Sequence, residues 1–193
     1  MINKAVSSPI VLALSGASGA VYGREIFDRL YDSGVKLHLV ITSTAKTIMS
    51  DEIGLRENYF RKKGVTLHDN SRYDAPIASG SFLTAGMVVA PCSMGCLARI
   101  ASGVSTDLLE RAADVHLKER RPLILVPRET PLSDIHLENM LRLSRAGAVI
   151  LPAMPAFTHK PKTVDDLATF IAGRVLDQLK IPQDFAPRYT GGE

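Results

Sequence analysis

Tryptophan is absent from this chain, cysteine occurs twice, and aromatic residues make up 6% of its 193 positions. Two cysteines, Cys92 and Cys96, are too few for a disulfide framework. Their C-x3-C spacing has no second ligand pair nearby, so no zinc or other metal site is expected and small buried thiols are the natural reading. Long apolar runs are also missing. Met87 to Pro91 and Leu123 to Val126 fall far short of the ~20 apolar residues that cross a bilayer, which argues against a membrane role. Lys4 is followed by no apolar stretch long enough for an export signal, and Pro9 onward reads as a first strand, so the expected compartment is the cytoplasm. Charge of one sign is lacking too: 23 Lys and Arg stand against 20 Asp and Glu, a formal charge of +3. The basic residues are scattered rather than gathered with aromatics, which makes nucleic acid a poor partner and a compact anion a better one. What the chain does have is 46% hydrophobic residues, enough to bury a continuous core in one domain.

Strand and helix patterns alternate along the chain. Pro9 to Ser15 is a short apolar run ending in a glycine-rich turn, and Ala20 to Leu30 has helical spacing. Lys36 to Thr42 repeats the strand pattern, and Ala45 to Ile53 reads as a helix ended by Gly54. The stretch from about Leu55 to Gly86, with its turn residues, reads as an irregular surface excursion. Further strands are expected at Met87 to Ala90, Leu123 to Val126 and Ala148 to Leu151. Helices are expected after Ser93, after Asp107, after Ser133 and after Thr163. This alternation predicts an α/β fold, a Rossmann-like three-layer sandwich with a mostly parallel sheet, in a single domain over residues 1–182 with residues 183–193 as a C-terminal arm. Ligands of such sheets bind beyond the carboxyl ends of the strands, which singles out the loops after Ser15, Thr42, Ala90, Val126 and Leu151.

Three of those loops carry the chemistry. Ser15-Gly16-Ala17-Ser18-Gly19-Ala20 opens a helix, so its N–H groups can cradle a phosphate at the positive end of the dipole, although a plain tight turn would use the same residues. It lacks the G-x-G-x-x-G, Walker A and nucleophile-elbow spacings. Pro91-Cys92-Ser93-Met94-Gly95-Cys96 offers small residues, a hydroxyl and further N–H donors at the same edge. Val126-Pro127-Arg128-Glu129-Thr130-Pro131 sets two charges between prolines, where Arg128 can fork onto a phosphate and Glu129 can move a proton. A surface ion pair is the plainer alternative there. Arg111, Asp114, Lys118 and Glu119 share helical spacing and read first as a solvated ion-paired face. His136 and Glu138, among Ile135, Leu137 and Leu141, read as structural groups of an amphipathic helix.

Taken together, SGASGA, ASGSF at Ala78 to Phe82, APCSMGC, RAADVHLKERRPL, VPRETPLSDIHLENM and PAMPAF resemble the UbiX/Pad1 family of flavin prenyltransferases over nearly the whole chain. The resemblance implies a homo-oligomer, typically dodecameric, that takes reduced FMN as prenyl acceptor and dimethylallyl phosphate as donor. It implies alkylation at N5, closure of a fourth ring at C6 and release of phosphate, with a UbiD-type decarboxylase as recipient of the product. Matched by motif, Gly16, Ala17, Ser18, Ser93, Met94, Gly95, Cys96 and Arg128 would contact FMN, and Thr42 or neighbouring Ser43 would supply a further hydroxyl. Lys118, Arg128, Thr158 and Arg174 would hold the prenyl phosphate, partly across subunits, with Ser18, Glu52 and Glu129 as the catalytic groups near the reacting atoms.

The chain departs from the family in two places. Thr158 follows Phe157 where a tyrosine is usual, which shortens the reach of the hydroxyl and bears on donor affinity and choice. Cys96 stands where threonine is frequent. Two alternatives share the cofactor: an FMN-dependent cysteine decarboxylase and a non-catalytic FMN-binding subunit of a decarboxylase. The first is disfavoured because its PxMNxxMW segment needs a tryptophan, and because Ser71-Arg72-Tyr73-Asp74 stands in the region of its catalytic histidine.

Overall fold

The strands are continuously apolar rather than alternating, as a sheet covered on both faces requires. All five residues of β1 (Ile10–Leu14) and all seven of β4 (Gly86–Cys92) are buried. With β2 (Leu37–Ile41), β3 (Val65–His68), β5 (Leu123–Pro127) and β6 (Val149–Ile150) they form one sheet in the order β3-β2-β1-β4-β5-β6. Every pairing is parallel. The computed structural model describes residues 8–189 and 191. Lys4, read above for an export signal, and residues 190, 192 and 193 of the expected arm lie outside the described residues.

Successive β1 side chains go to opposite layers. Ile10, Leu12 and Leu14 pack with Ile26, Phe27 and Leu30 of α1 (Ala20–Asp32) and with Ile171 and Val175 of α6 (Val164–Gln178). Met49 of α2 (Ser43–Ile53) completes that side. Val11 and Ala13 face Leu97 of α3 (Met94–Ala101), Leu109 and Ala113 of α4 (Leu108–Lys118), and Leu143 of α5 (Asp134–Arg145). Right-handed crossovers that run one way from β1 and the other way from β4 place their helices on opposite faces. The strand order therefore reverses between β1 and β4, and a crevice opens at their carboxyl ends.

The helix starts follow from their side chains. Asp107 accepts the Glu110 N–H at 2.9 Å, and Thr163 forms a capping box with Asp166. Ser133 caps α5 in a box whose third residue is His136, so that histidine serves the helix end. The amphipathic stripe of α5 is directed outward, with Ile135, Leu137 and Leu141 exposed by half or more. One correction concerns the stretch from Leu55 to Gly86. It is not wholly irregular, because Val65–His68 is a strand paired with β2 at the sheet edge. Beyond α6 the chain returns along that helix: Arg188 donates to Asp177 at 2.9 Å, and Ala186 lies against Gly173. A Cβ on Gly173 would come within 2.2 Å of the Ala186 Cβ, so the absence of a side chain there is what lets the two segments touch.

Candidate active site

Ser15 ties two of the strand-end loops together. Its hydroxyl donates to the Pro91 carbonyl at 2.9 Å and accepts the Ser93 N–H at 2.7 Å. Both partners of this buried hydroxyl are backbone groups of the opposing loop, so the two turns are held in one arrangement. Thr42 caps α2 by accepting the Ala45 N–H at 3.2 Å, and Ser93 caps α3 by accepting the Cys96 N–H at 3.3 Å. Gly16 fits between the loops because it has no side chain: a Cβ there would stand 2.6 Å from the Thr44 methyl. The result is a polar cavity of about 240 Å³ lined by Gly16, Thr42, Thr44, Ser93, Cys96 and Arg99, with Ser15, Ser43, Asn70 and Asp107 completing the wall.

The first loop is occupied differently from the expectation. Its helix-start N–H groups do not await a phosphate: Glu52 of α2 accepts the Gly19 N–H at 2.9 Å and the Ala20 N–H at 2.8 Å. A side-chain carboxylate thus sits at the positive end of the α1 dipole. Partial burial pushes the Glu52 carboxyl up, but hydrogen bonds from Ser18, Ala20 and Gly19 and the nearby Arg128 charge outweigh it and hold the group below its ordinary range. Arg128 Nε donates to the Ser18 carbonyl at 2.8 Å, which links the third loop to the first. Glu129, beside it, is exposed and accepts the Thr130 N–H at 3.0 Å. Ser18, Glu52 and Arg128 form one cluster, and Glu129 borders it.

Cys92 and Cys96 are free and buried. A hydrogen bond with Cys92, followed by burial, pushes the Cys96 thiol up, so it stays protonated and is a poor nucleophile. Met94, buried, and Gly95 are the first two residues of α3, and Ala17 is buried with its N–H on the Ser15 carbonyl at 2.9 Å.

The remaining expected residues lie elsewhere in the chain. Lys118 ends α4, before the amino end of β5, and pairs with Glu119 at 2.5 Å. It is therefore at the edge of the sheet opposite the loops. Thr158 and Arg174 line a second cavity of about 750 Å³ with His159, Asp177, Arg188 and Tyr189, and Arg174 pairs with Asp177 at 3.0 Å. A single chain does not bring Lys118, Arg128 and Arg174 to one point. Sequence reasoning placed Ser15 in the first loop but gave it no role of its own, because its hydroxyl is indistinguishable in sequence from any turn serine. It missed Arg99, a charge in a helix otherwise composed of small and apolar residues, which was a readable signal.

Comparison with known proteins places this geometry. The family model described as Flavoprotein matches residues 3–176. A protein named flavin prenyltransferase UbiX from Methanothermobacter thermautotrophicus is 50% identical over 182 residues, 94% of this chain and 95% of that one. A crystal structure of AnUbiX (PadA1) in complex with FMN and dimethylallyl pyrophosphate superposes with a TM-score of 0.93 at 44% identity, covering 96% of this chain and 99% of that one. A dodecameric FMN-dependent UbiX-like decarboxylase from Escherichia coli O157:H7 superposes with a TM-score of 0.92 at 44% identity, covering 95% of this chain and 100% of that one. The motifs, the parallel sheet with its crevice between β1 and β4, and identity sustained along the full length converge, and the chain belongs to the UbiX flavin prenyltransferases of the flavoprotein family.

Proposed function

We propose that this protein transfers a dimethylallyl group from dimethylallyl phosphate to reduced FMN, forming bonds at N5 and C6, and supplies the product to a UbiD-type decarboxylase. The observation that carries this reading is the juxtaposition of two features. Gly16 of the first loop lines a small hydroxyl-rich cavity suited to a phosphate, and the same loop, through Ser18, Gly19 and Ala20, holds an ionised carboxylate and an arginine. At about 240 Å³ the cavity is below the ~300 Å³ at which pockets for whole ligands begin, so it suits the phosphate end of a flavin nucleotide and leaves the ring outside. The fit is chemical as well: Gly16, Thr42 or Ser43, and the Ser93 to Cys96 turn offer hydroxyl and N–H donors and little apolar surface.

Reduced flavin supplies the nucleophilic N5 and C6. The allylic C–O bond of the donor would break as its C1 bonds N5, and phosphate would leave with the electron pair. Closure at C6 would then open the donor's C2=C3 double bond, a proton adding at C2 as C3 bonds C6 and C6 gives up its own proton. Arg128 and Arg174, with Lys118 of a neighbouring copy, would stabilise the charge that develops on that phosphate, and Thr158 would contact it. Ser18 and Glu52 are positioned as a relay: the ionised carboxylate can draw a proton through the Ser18 hydroxyl. Glu129 would take the other proton released as N5 and C6 are alkylated. Gly16, Ala17, Ser18, Thr42, Ser93, Met94, Gly95, Cys96 and Arg128 would hold the acceptor.

Residues 1–182 would form the flavin domain and 183–193 its arm. Lys118 can join the site only from another copy, and this supports a homo-oligomer, for which we propose the dodecamer. Among the described residues no helix is long and apolar enough to cross a membrane; we propose that the protein works in the cytoplasm. The test is direct. Purified protein mixed with reduced FMN and dimethylallyl phosphate under anaerobic conditions should yield a flavin heavier by one C5 prenyl unit in the mass spectrum. Binding of FMN without that product, with either the phosphate or the pyrophosphate donor, would favour a non-catalytic flavin carrier.

A further inference from the structure

Arg99 is tethered in a way unlike a surface arginine. Its Nε bonds Glu110, whose side chain is 0% exposed, and the same carboxylate accepts the Thr106 N–H at 2.8 Å and the Thr106 hydroxyl at 2.7 Å. A buried carboxylate with this many partners fixes the guanidinium rather than letting it sweep through solvent. Held so, the guanidinium folds over the first turn of α3, where a Cβ on Gly95 would lie 3.5 Å from Nη1. It forms part of the wall of the 240 Å³ cavity that Thr42, Ser43 and Thr44 also line. Among the described residues lining that cavity, Arg99 is the only cation and Asp107 the only carboxylate. Asp107 is already engaged: one oxygen accepts the Glu110 N–H at 2.9 Å and the other the Asn70 amide at 2.8 Å.

With Nε committed to Glu110, Arg99 keeps its Nη donors for a ligand. A phosphate dianion entering a cavity walled by hydroxyls and one aspartate would otherwise meet net negative charge. We propose that Arg99 binds the 5′-phosphate of the flavin and sets the preference for FMN over unphosphorylated riboflavin, with Glu110 as its positioning residue. The inference rests on the proposed binding of FMN at this cavity.

Titration of wild type, Arg99→Ala and Glu110→Gln with FMN and with riboflavin, followed by flavin fluorescence, tests it. Arg99→Ala should weaken FMN binding by roughly 10- to 100-fold, the range of a charge-assisted bond, and leave riboflavin affinity within about twofold. Glu110→Gln should fall between, because the arginine remains but is less firmly held. Removing Arg99 alone strands a buried charge, so the double variant Arg99→Ala/Glu110→Gln provides a folded control, with circular dichroism to establish folding. The same FMN-to-riboflavin affinity ratio in wild type and double variant would overturn the role of Arg99. If wild type binds neither flavin, the FMN reading itself fails, and the assignment of Arg99 with it.

Discussion

A glycine-rich turn leading into a helix usually offers its first N–H groups to an anion from outside, and here Glu52 is that anion. The positive end of α1 is thereby used to keep a carboxylate ionised beside Ser18, and the proposed phosphate cavity lies instead at the starts of α2 and α3. Glu129 is not held at a helix start in this way and accepts only the neighbouring Thr130 N–H, which suits the proton-accepting role proposed for it. Glu129→Gln should keep FMN affinity within about twofold and lower prenylation by roughly 100-fold or more, measured by anaerobic single-turnover mass spectrometry. His116 illustrates a different burial. Its Nδ1 donates to the Ala112 carbonyl at 2.7 Å, so its Nε2 accepts from the Thr84 hydroxyl at 2.8 Å. Burial, with a smaller effect from the Arg121 charge, lowers its pKa from 6.5 to about 4. The unfolded chain then takes up this proton more readily than the folded one. The contribution is complete above pH 6.5 and lost as pH falls toward 4, amounting to about 3 kcal/mol. His38, lowered to about 4 chiefly by burial and then by His68, adds to the same slope. Thermal melts between pH 4 and 8 should show Tm falling with acid below 6.5, less steeply in His116→Gln.

At the scale of elements, the helix caps have the most readily measured effects. Ser133→Ala removes the acceptor for the His136 N–H and should cost about 1 kcal/mol, a fall in Tm of a few degrees. The central strands were legible because complete burial leaves unbroken apolar runs such as Ile10 to Leu14, and the caps because Thr163 and Ser133 immediately precede periodic segments. β3 was not legible. Val65–His68 is a four-residue edge strand: Val65 and Leu67 pack on the core and Thr66 is exposed, an alternation too short to stand out from the turn residues around it. Its place comes from pairing with β2, which is information about a partner rather than about the segment itself. The site divided the same way. Loops that follow strands could be located from order alone, and Arg128 and Ser18 do meet. That Glu52 folds back onto the first loop depends on where α2 starts and how it crosses α1, which no local pattern encodes.

For the molecule as a whole, the exposed stripe of Ile135, Leu137 and Leu141 on α5 is apolar surface of the kind that another subunit covers. Ile135→Glu combined with Leu141→Glu should reduce the mass measured by light scattering while the far-ultraviolet spectrum stays that of the folded chain. An unchanged mass would move the contact elsewhere. The bond between Ser15 and the Ser93 turn has a consequence for how the protein comes into being. It joins two segments 78 positions apart, on strands that meet at the middle of the sheet. During synthesis the first three strands emerge with half of the cavity wall, and the other half exists only after β4 has docked beside β1. A nascent or truncated chain that ends before Gly86 would carry the SGASGA turn and yet lack half the walls of the proposed phosphate cavity, so on that proposal flavin binding can stabilise only the chain that has closed this seam.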